Sequence, residues 1–282
     1  MANNEFYIGW MGNAPKSFVA VIKRYVLLLM PIVFILAVVI ALSQKKFASG
    51  NFEFGTLTEV KGVYFKSPVP NLKVVNGKDI LGNLSYITIP LIGYGKFGAD
   101  GIMNDIEKEK HVSLDSKMIT LKGTLLYNDG KILMQVDGGD NPINNIKEAA
   151  TDTNKLVQHK DLGSITVKGE IVDPKCFFGV MKPGEGKPHK DCAIRCILGG
   201  IPPVLHVMDK NGTDNYYLIV GASGEKMNKA VQDYVAAPVE IHAKAVQYND
   251  WIVLYVGDKN IKEISKSALY QGGGAIACAA CN

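Results

Sequence analysis

The sequence predicts a mainly β protein: one N-terminal transmembrane helix, then two small β-barrel units of the OB type, each with a short helix. Three observations carry this. An uncharged apolar run lies near the N-terminus. Beyond Gly50, short segments alternate apolar and polar residues as half-buried strands do. The order of those segments then recurs in the second half of the chain. At 282 residues there is ample length for a sizeable core.

The apolar run is YVLLLMPIVFILAVVIALS, residues 25–43, preceded by an N-terminal segment, 1–24. At about 1.5 Å per residue a helix of this length spans close to the hydrocarbon core of a bilayer. Pro31 is tolerable in such a helix. The small residues of "ALS" before Gln44 would suit signal-peptide cleavage, but the run exceeds the roughly 7–15 residues of a signal-peptide core. An uncleaved anchor is therefore expected. Tyr7, Trp10 and Phe18 suit the membrane interface. Lys16, Lys23 and Arg24 precede the span and Lys45 and Lys46 follow it, a weak bias. The C-terminal part is expected in a periplasmic or extracellular space, because one early anchor most simply tethers a domain outside the cytoplasm.

The first unit is placed at 50–140. Its opening strand is FGTLTEVKGVYF, residues 54–65, and GIMNDIEKEKHV, residues 101–112, suits a short helix. ITLKGTLLYNDGKILMQV, residues 119–136, is two strands joined at Asn-Asp-Gly, residues that accept positive φ. A linker follows at 141–161, helical in character around 144–150. The second unit, 162–265, repeats the pattern. LGSITVKGEIVD (162–173) echoes the opening strand, and Tyr248-Asn249-Asp250 answers Tyr127-Asn128-Asp129 in the closing hairpin. Before that hairpin, 223–235 is expected to be helical, with Met227, Ala230, Val231 and Val235 on one face. Five strands with a helix before the last pair is the OB order, which another small β-barrel or a sandwich would also share. Residues 266–282 form a low-complexity tail.

The second unit departs from the first in the insertion DPKCFFGVMKPGEGKPHKDCAIRCILGGIPPVLHV, residues 173–207. HKDCAIRCIL supports about two helical turns ended by Gly199 and Gly200. His189, Cys192 and Cys196 then fall at i, i+3 and i+7, along one face, with Cys176 able to approach it. Such donors suit Zn²⁺ or another thiolate-bound metal in a Cys₃His shell, with Asp173 or His206 supporting it from behind. A disulfide from Cys176 to Cys192 or Cys196, or unpaired thiols, are the alternatives. A Cys192–Cys196 bond would need a non-helical turn.

The residues 169–204 resemble a stretch of bacterial OB-like proteins of poorly defined activity, with the pattern D-x-x-C…H-x-x-C-A-x-x-C…G-x-P. The positions that match are Asp173, Cys176, His189, Cys192, Cys196, Gly200 and Pro202. The resemblance implies that they form one site; it implies no reaction.

Other motifs fail. Met181 and Pro188 stand where a phosphate-binding loop needs Gly and Ser or Thr. Cys278 and Cys281 form a lone CxxC in the tail, without the strand–helix context of a thioredoxin site. His111, His159 and His242 stand alone, and a surface or strand role outweighs catalysis for each. The net charge of +4 includes no dense basic run, so nucleic acid is not an expected partner. The functional expectation is a membrane-anchored, non-catalytic binding or accessory module of a membrane redox complex, with other subunits as partners. One alternative is a thiol oxidoreductase using Cys192 and Cys196, with His189 lowering a thiol pKa. The other is a disulfide-stapled module binding a ligand, a protein or a single strand through Tyr216, Tyr217 and Trp251.

Overall fold

A computed structural model describes residues 14–43, 50–78, 80, 82–139, 141–149, 156, 159–209 and 212–269. The chain divides into two compact units, Met1–Phe47 and Ala48–Asn282. The first holds helix α1, Lys16–Ser43, none of whose residues is buried and which is long and apolar enough to cross a membrane. It starts at Lys16 rather than Tyr25, since good helix formers such as Lys16, Ala20, Lys23 and Arg24 continue it past the apolar run. Val19 N donates to Pro15 O at 3.0 Å, closing the first turn.

The second unit is mostly strand. Its first sheet comprises β1 (Asn51–Phe52), β2 (Thr58–Phe65), β3 (Asn71–Lys78), β4 (Leu84–Ile92), β5 (Lys117–Asn128), β6 (Lys131–Val136) and β7 (Ile143–Glu148). Its order is β1-β5-β2-β3-β4-β6, and β6 also pairs with β5, so pairing runs around a ring. Helix α2, Asp100–Lys110, lies between β4 and β5, as the sequence predicts, and His111 ends it in the left-handed region. The second sheet comprises β8 (His159–Val172), β9 (Val204–Met208), β10 (Asp214–Gly221), β11 (Pro238–Tyr248) and β12 (Trp251–Glu263). It closes as a barrel in the order β10-β12-β11-β8-β9. Helix α3, Lys190–Leu198, carries the predicted cysteines, and a short α4, Lys266–Leu269, follows β12.

Two predicted helices are absent. The expected helical stretch at 144–150 is strand β7 over Ile143–Glu148, paired with β5. β5 offers an open backbone edge there, and Asn-Asn-Ile has little helix propensity to resist it. Ala150 and most of the remaining linker lie outside the described residues. The segment 223–235 is a series of turns, with only a 3₁₀ turn at Gln232–Tyr234. One local bond and two tertiary ones compete with the helix: Ser223 N donates to Glu225 Oε2 at 2.8 Å, and Asn228 Nδ2 donates to Ile197 O and Ile201 O. Met227, Val231 and Val235 are nonetheless buried, whereas Ala230, expected on the same face, is exposed, because without the helix the four no longer share one side.

Each sheet has its own core, and a third cluster joins them. Val69, Ile92, Leu126 and Leu133 of the first half pack with Val172, Phe178, Val204 and Trp251 of the second. The two Tyr-Asn-Asp hairpins clasp across this seam. Asn128 Nδ2 donates to Tyr216 Oη at 3.0 Å, and Tyr216 Oη donates to Asp129 Oδ2 at 2.7 Å. Reciprocally, Lys73 Nζ donates to Asn249 Oδ1 at 2.8 Å, Thr88 N to Asp250 Oδ1 at 2.7 Å, and Trp251 Nε1 to Thr88 O at 3.1 Å. Burial lowers the Lys73 ammonium to a pKa of about 8.

Candidate metal centre

The centre forms where β8 ends. Asp173 Oδ1 accepts Lys175 N at 2.9 Å and Asp173 O accepts Phe177 N at 3.0 Å, which turns the chain into a wide π-type turn over Cys176–Val180. Gly179, at φ 138, makes that turn possible. Phe177 and Phe178 lock it into the seam. The Phe177 ring lies 4.5 Å from His206, and Phe178 stacks 6.5 Å from Trp251. The chain then runs through a 3₁₀ turn, Lys187–His189, into α3, whose end is held by Gly200 at φ +106 and by Asn228.

The fold brings together three free thiols. Cys176, Cys192 and Cys196 place their Sγ atoms within 4.8 Å of one another, close enough to hold a metal ion. Cys176 and Cys196 are buried and Cys192 is partly exposed. No disulfide joins any of the three. His189 is also buried, but it groups with Asp173 and Cys176 rather than with the other two thiols. The four-donor Cys₃His shell expected from the spacing is thus resolved into two overlapping donor groups that share Cys176. Asp173, expected behind the shell, stands among the donors.

The loop at 93–98 of the first half completes the site. Lys96 Nζ lies 3.0 Å from Cys192 Sγ and 4.0 Å from Cys196 Sγ. Gly98 N donates to Gly199 O at 3.0 Å, and Lys175 Nζ donates to Gly93 O at 3.0 Å and Gly95 O at 2.7 Å. Met181 Sδ lies 3.7 Å from Cys192 Sγ. Sequence reasoning missed Lys96, Lys175 and Met181 as parts of the site. Lys96 precedes Cys192 by 96 positions, and no local pattern links them.

The electrostatics separate the thiols. The Cys176 thiol is pushed well above its ordinary range by its contact with Cys196, then by burial and the nearby Asp173 charge. Cys196 is lowered by the same contact, against its burial. Of the two, Cys196 is the thiol that ionises first and Cys176 the one that keeps its proton longer. Lys96 is raised, chiefly by its bond to Cys192. Burial lowers His189, with Asp173 opposing and Lys96 assisting, which leaves a neutral imidazole, the ligating form.

His206 is not available to support the centre. Its Nε2 lies 2.6 Å from Asp214 Oδ1 and its Nδ1 3.5 Å from Glu185 Oε2. Burial disfavours its charge, but these two carboxylates outweigh burial and raise it to about 9. Tyr216, Tyr217 and Trp251, offered as stacking residues, are all buried, as expected of core aromatics. Cys278 and Cys281 lie outside the described residues. Compared with protein-family models, curated proteins and solved structures, the chain finds no match in any of them.

Proposed function

We propose that the protein is a membrane-anchored, non-catalytic accessory module that carries a thiolate-bound metal of the zinc class for a membrane redox complex. One observation carries the reading: three free thiols converge within 4.8 Å of one another, with the Lys96 ammonium 3.0 Å from one of them. Three sulfur donors on a well-packed turn and helix suit Zn²⁺ or a softer ion. Membrane attachment is supported by α1, which is long and apolar enough to span a bilayer. The C-terminal unit is proposed to face the periplasm or the extracellular space, with other subunits of the complex as partners.

We also infer that both halves of the C-terminal unit are OB-like and repeat one plan. In the first, β2 pairs β3 and β5, β3 pairs β4, and β4 runs parallel to β6. In the second, β8 pairs β9 and β11, β9 pairs β10, and β10 runs parallel to β12. The same order, with one parallel pair in the same place, supports the assignment.

The test is metal and thiol analysis of the full-length protein, purified in detergent without oxygen or chelator. The reading expects bound metal together with three protected thiols at 176, 192 and 196. Metal-free protein with Cys176 disulfide-linked to Cys192 or Cys196 would refute it. A specific observation favours thiol oxidoreductase chemistry as a second reading: the Cys192 sulfur is partly exposed and lies 3.0 Å from Lys96 Nζ, so a substrate could reach it. That reading expects turnover of a disulfide substrate by metal-free protein, lost in Cys192→Ser.

A further inference from the structure

Cys176 belongs to both donor groups. On one side it meets Cys192 and Cys196; on the other it meets Asp173 and His189, again with all donor atoms within 4.8 Å. A single tetrahedral ion bound by Cys₃His would require the histidine to close on all three sulfurs. Here His189 instead shares its space with Asp173 and Cys176. Two buried polar atoms are left over in that inner group: His189 Nε2, on a residue only 3% exposed, and Asp173 Oδ2, on a residue 0% exposed, have no hydrogen-bond partner. Buried imidazole nitrogens and carboxylate oxygens are normally paired, so two orphans within one close donor group ask for a cation.

We propose that the centre is dinuclear, with one ion on Cys176, Cys192 and Cys196, a second on Asp173, Cys176 and His189, and the Cys176 thiolate bridging them. This rests on the reading of the centre as a metal site and deepens it. The mixed sulfur, nitrogen and oxygen set of the inner group fits a borderline divalent ion of the zinc class, and the all-sulfur outer group fits the same ion or a softer one. Each ion has three protein donors, which leaves a coordination position for water or an exchangeable ligand. The outer one lies beside partly exposed Cys192, whereas the donors of the inner one are all buried. Binding releases the proton of each coordinating thiol to solvent.

The test is titration of full-length, reduced, metal-stripped protein in detergent with Zn²⁺, followed by elemental analysis after desalting, and a parallel Co²⁺ titration followed by electron paramagnetic resonance. The parent is expected to bind two ions per chain, and His189→Ala and Asp173→Asn one each. With Co²⁺, the signal should grow over the first equivalent and shrink over the second, as the shared thiolate couples the two spins. Asp173→Asn keeps the side-chain shape, so it reads the inner group even if His189→Ala fails to fold. One ion in the parent, unchanged in both variants, would overturn the second site while leaving the Cys₃ reading intact. Two ions with uncoupled spins would overturn the bridge. A parent that binds no ion would overturn the metal reading and this inference together.

Discussion

Gly199→Ala is the sharpest test of how the two halves meet. Gly199 sits at φ −73, so alanine meets no backbone strain, but its Cβ would lie 1.9 Å from Lys96 O and 3.2 Å from Arg195 O. Both neighbours are backbone atoms and cannot rotate away. The 93–98 loop would have to retreat until ordinary contact, 3.4 Å or more, is restored. That retreat breaks the Gly98 N to Gly199 O bond of 3.0 Å and draws Lys96 away from Cys192. Overpacking of this kind costs about 1–3 kcal/mol and the lost hydrogen bond about 1 kcal/mol. The unfolded-state gain from replacing Gly returns up to about 1 kcal/mol. A net loss of about 1–4 kcal/mol corresponds to a fall in Tm of about 2–16 °C for a folded unit of this size. Fluorescence of the fully buried Trp251 in the full-length protein follows the melt. Gly101→Ala is the control: it lies inside α2 with no atom within 4 Å of the added carbon, so it should raise stability by about 0.5–1 kcal/mol. A Gly199→Ala protein that melts with the parent would refute the loop–helix contact and, with it, the place of Lys96 in the site.

Trp251→Ala should cost about 3–5 kcal/mol, because it empties the seam and abandons the bond to Thr88 O; chemical denaturation measures it, and a loss below 1 kcal/mol would argue against a shared core. His206 predicts a pH dependence. Its folded pKa, about 9, lies above the unfolded value near 6.5, so its stabilisation is complete below about pH 6.5 and is lost as pH rises through 9. The difference between parent and His206→Gln in denaturant midpoint should shrink across that window by an amount on the order of 3 kcal/mol, and a flat difference would refute the Asp214–Glu185 pairing. The membrane reading predicts that the full chain resists alkaline carbonate extraction; recovery in the wash supernatant would contradict an integral span.

What the sequence discloses here is what local periodicity can carry. The apolar run of α1, the alternation of β2 and β8, and the Asn-Asp-Gly turn are decided by neighbours, so they read directly. The i, i+3, i+7 spacing likewise places Cys192 and Cys196 on one side of α3. Where tertiary bonds compete, the reading fails. The apolar face at 223–235 reaches the core, yet Asn228 is spent on the end of α3 and the helix does not form. The Tyr-Asn-Asp pairs read as hairpins, but their reciprocal grip on the opposite half depends on Lys73, Thr88 and Tyr216, which no spacing connects to them. The same limit hid Lys96. It also hid the division of the donor set, since a helical face says where Cys192 points but not that His189, one residue before α3, turns toward Asp173.

X-ray absorption at the edge of whatever metal co-purifies with the full-length chain tests the thiolate centre most directly. The account predicts a first shell dominated by sulfur at about 2.3 Å with a lighter nitrogen or oxygen contribution, and loss of most of the sulfur shell in Cys196→Ser. A shell made of nitrogen and oxygen alone, or no metal at all in protein kept reduced throughout, would contradict it.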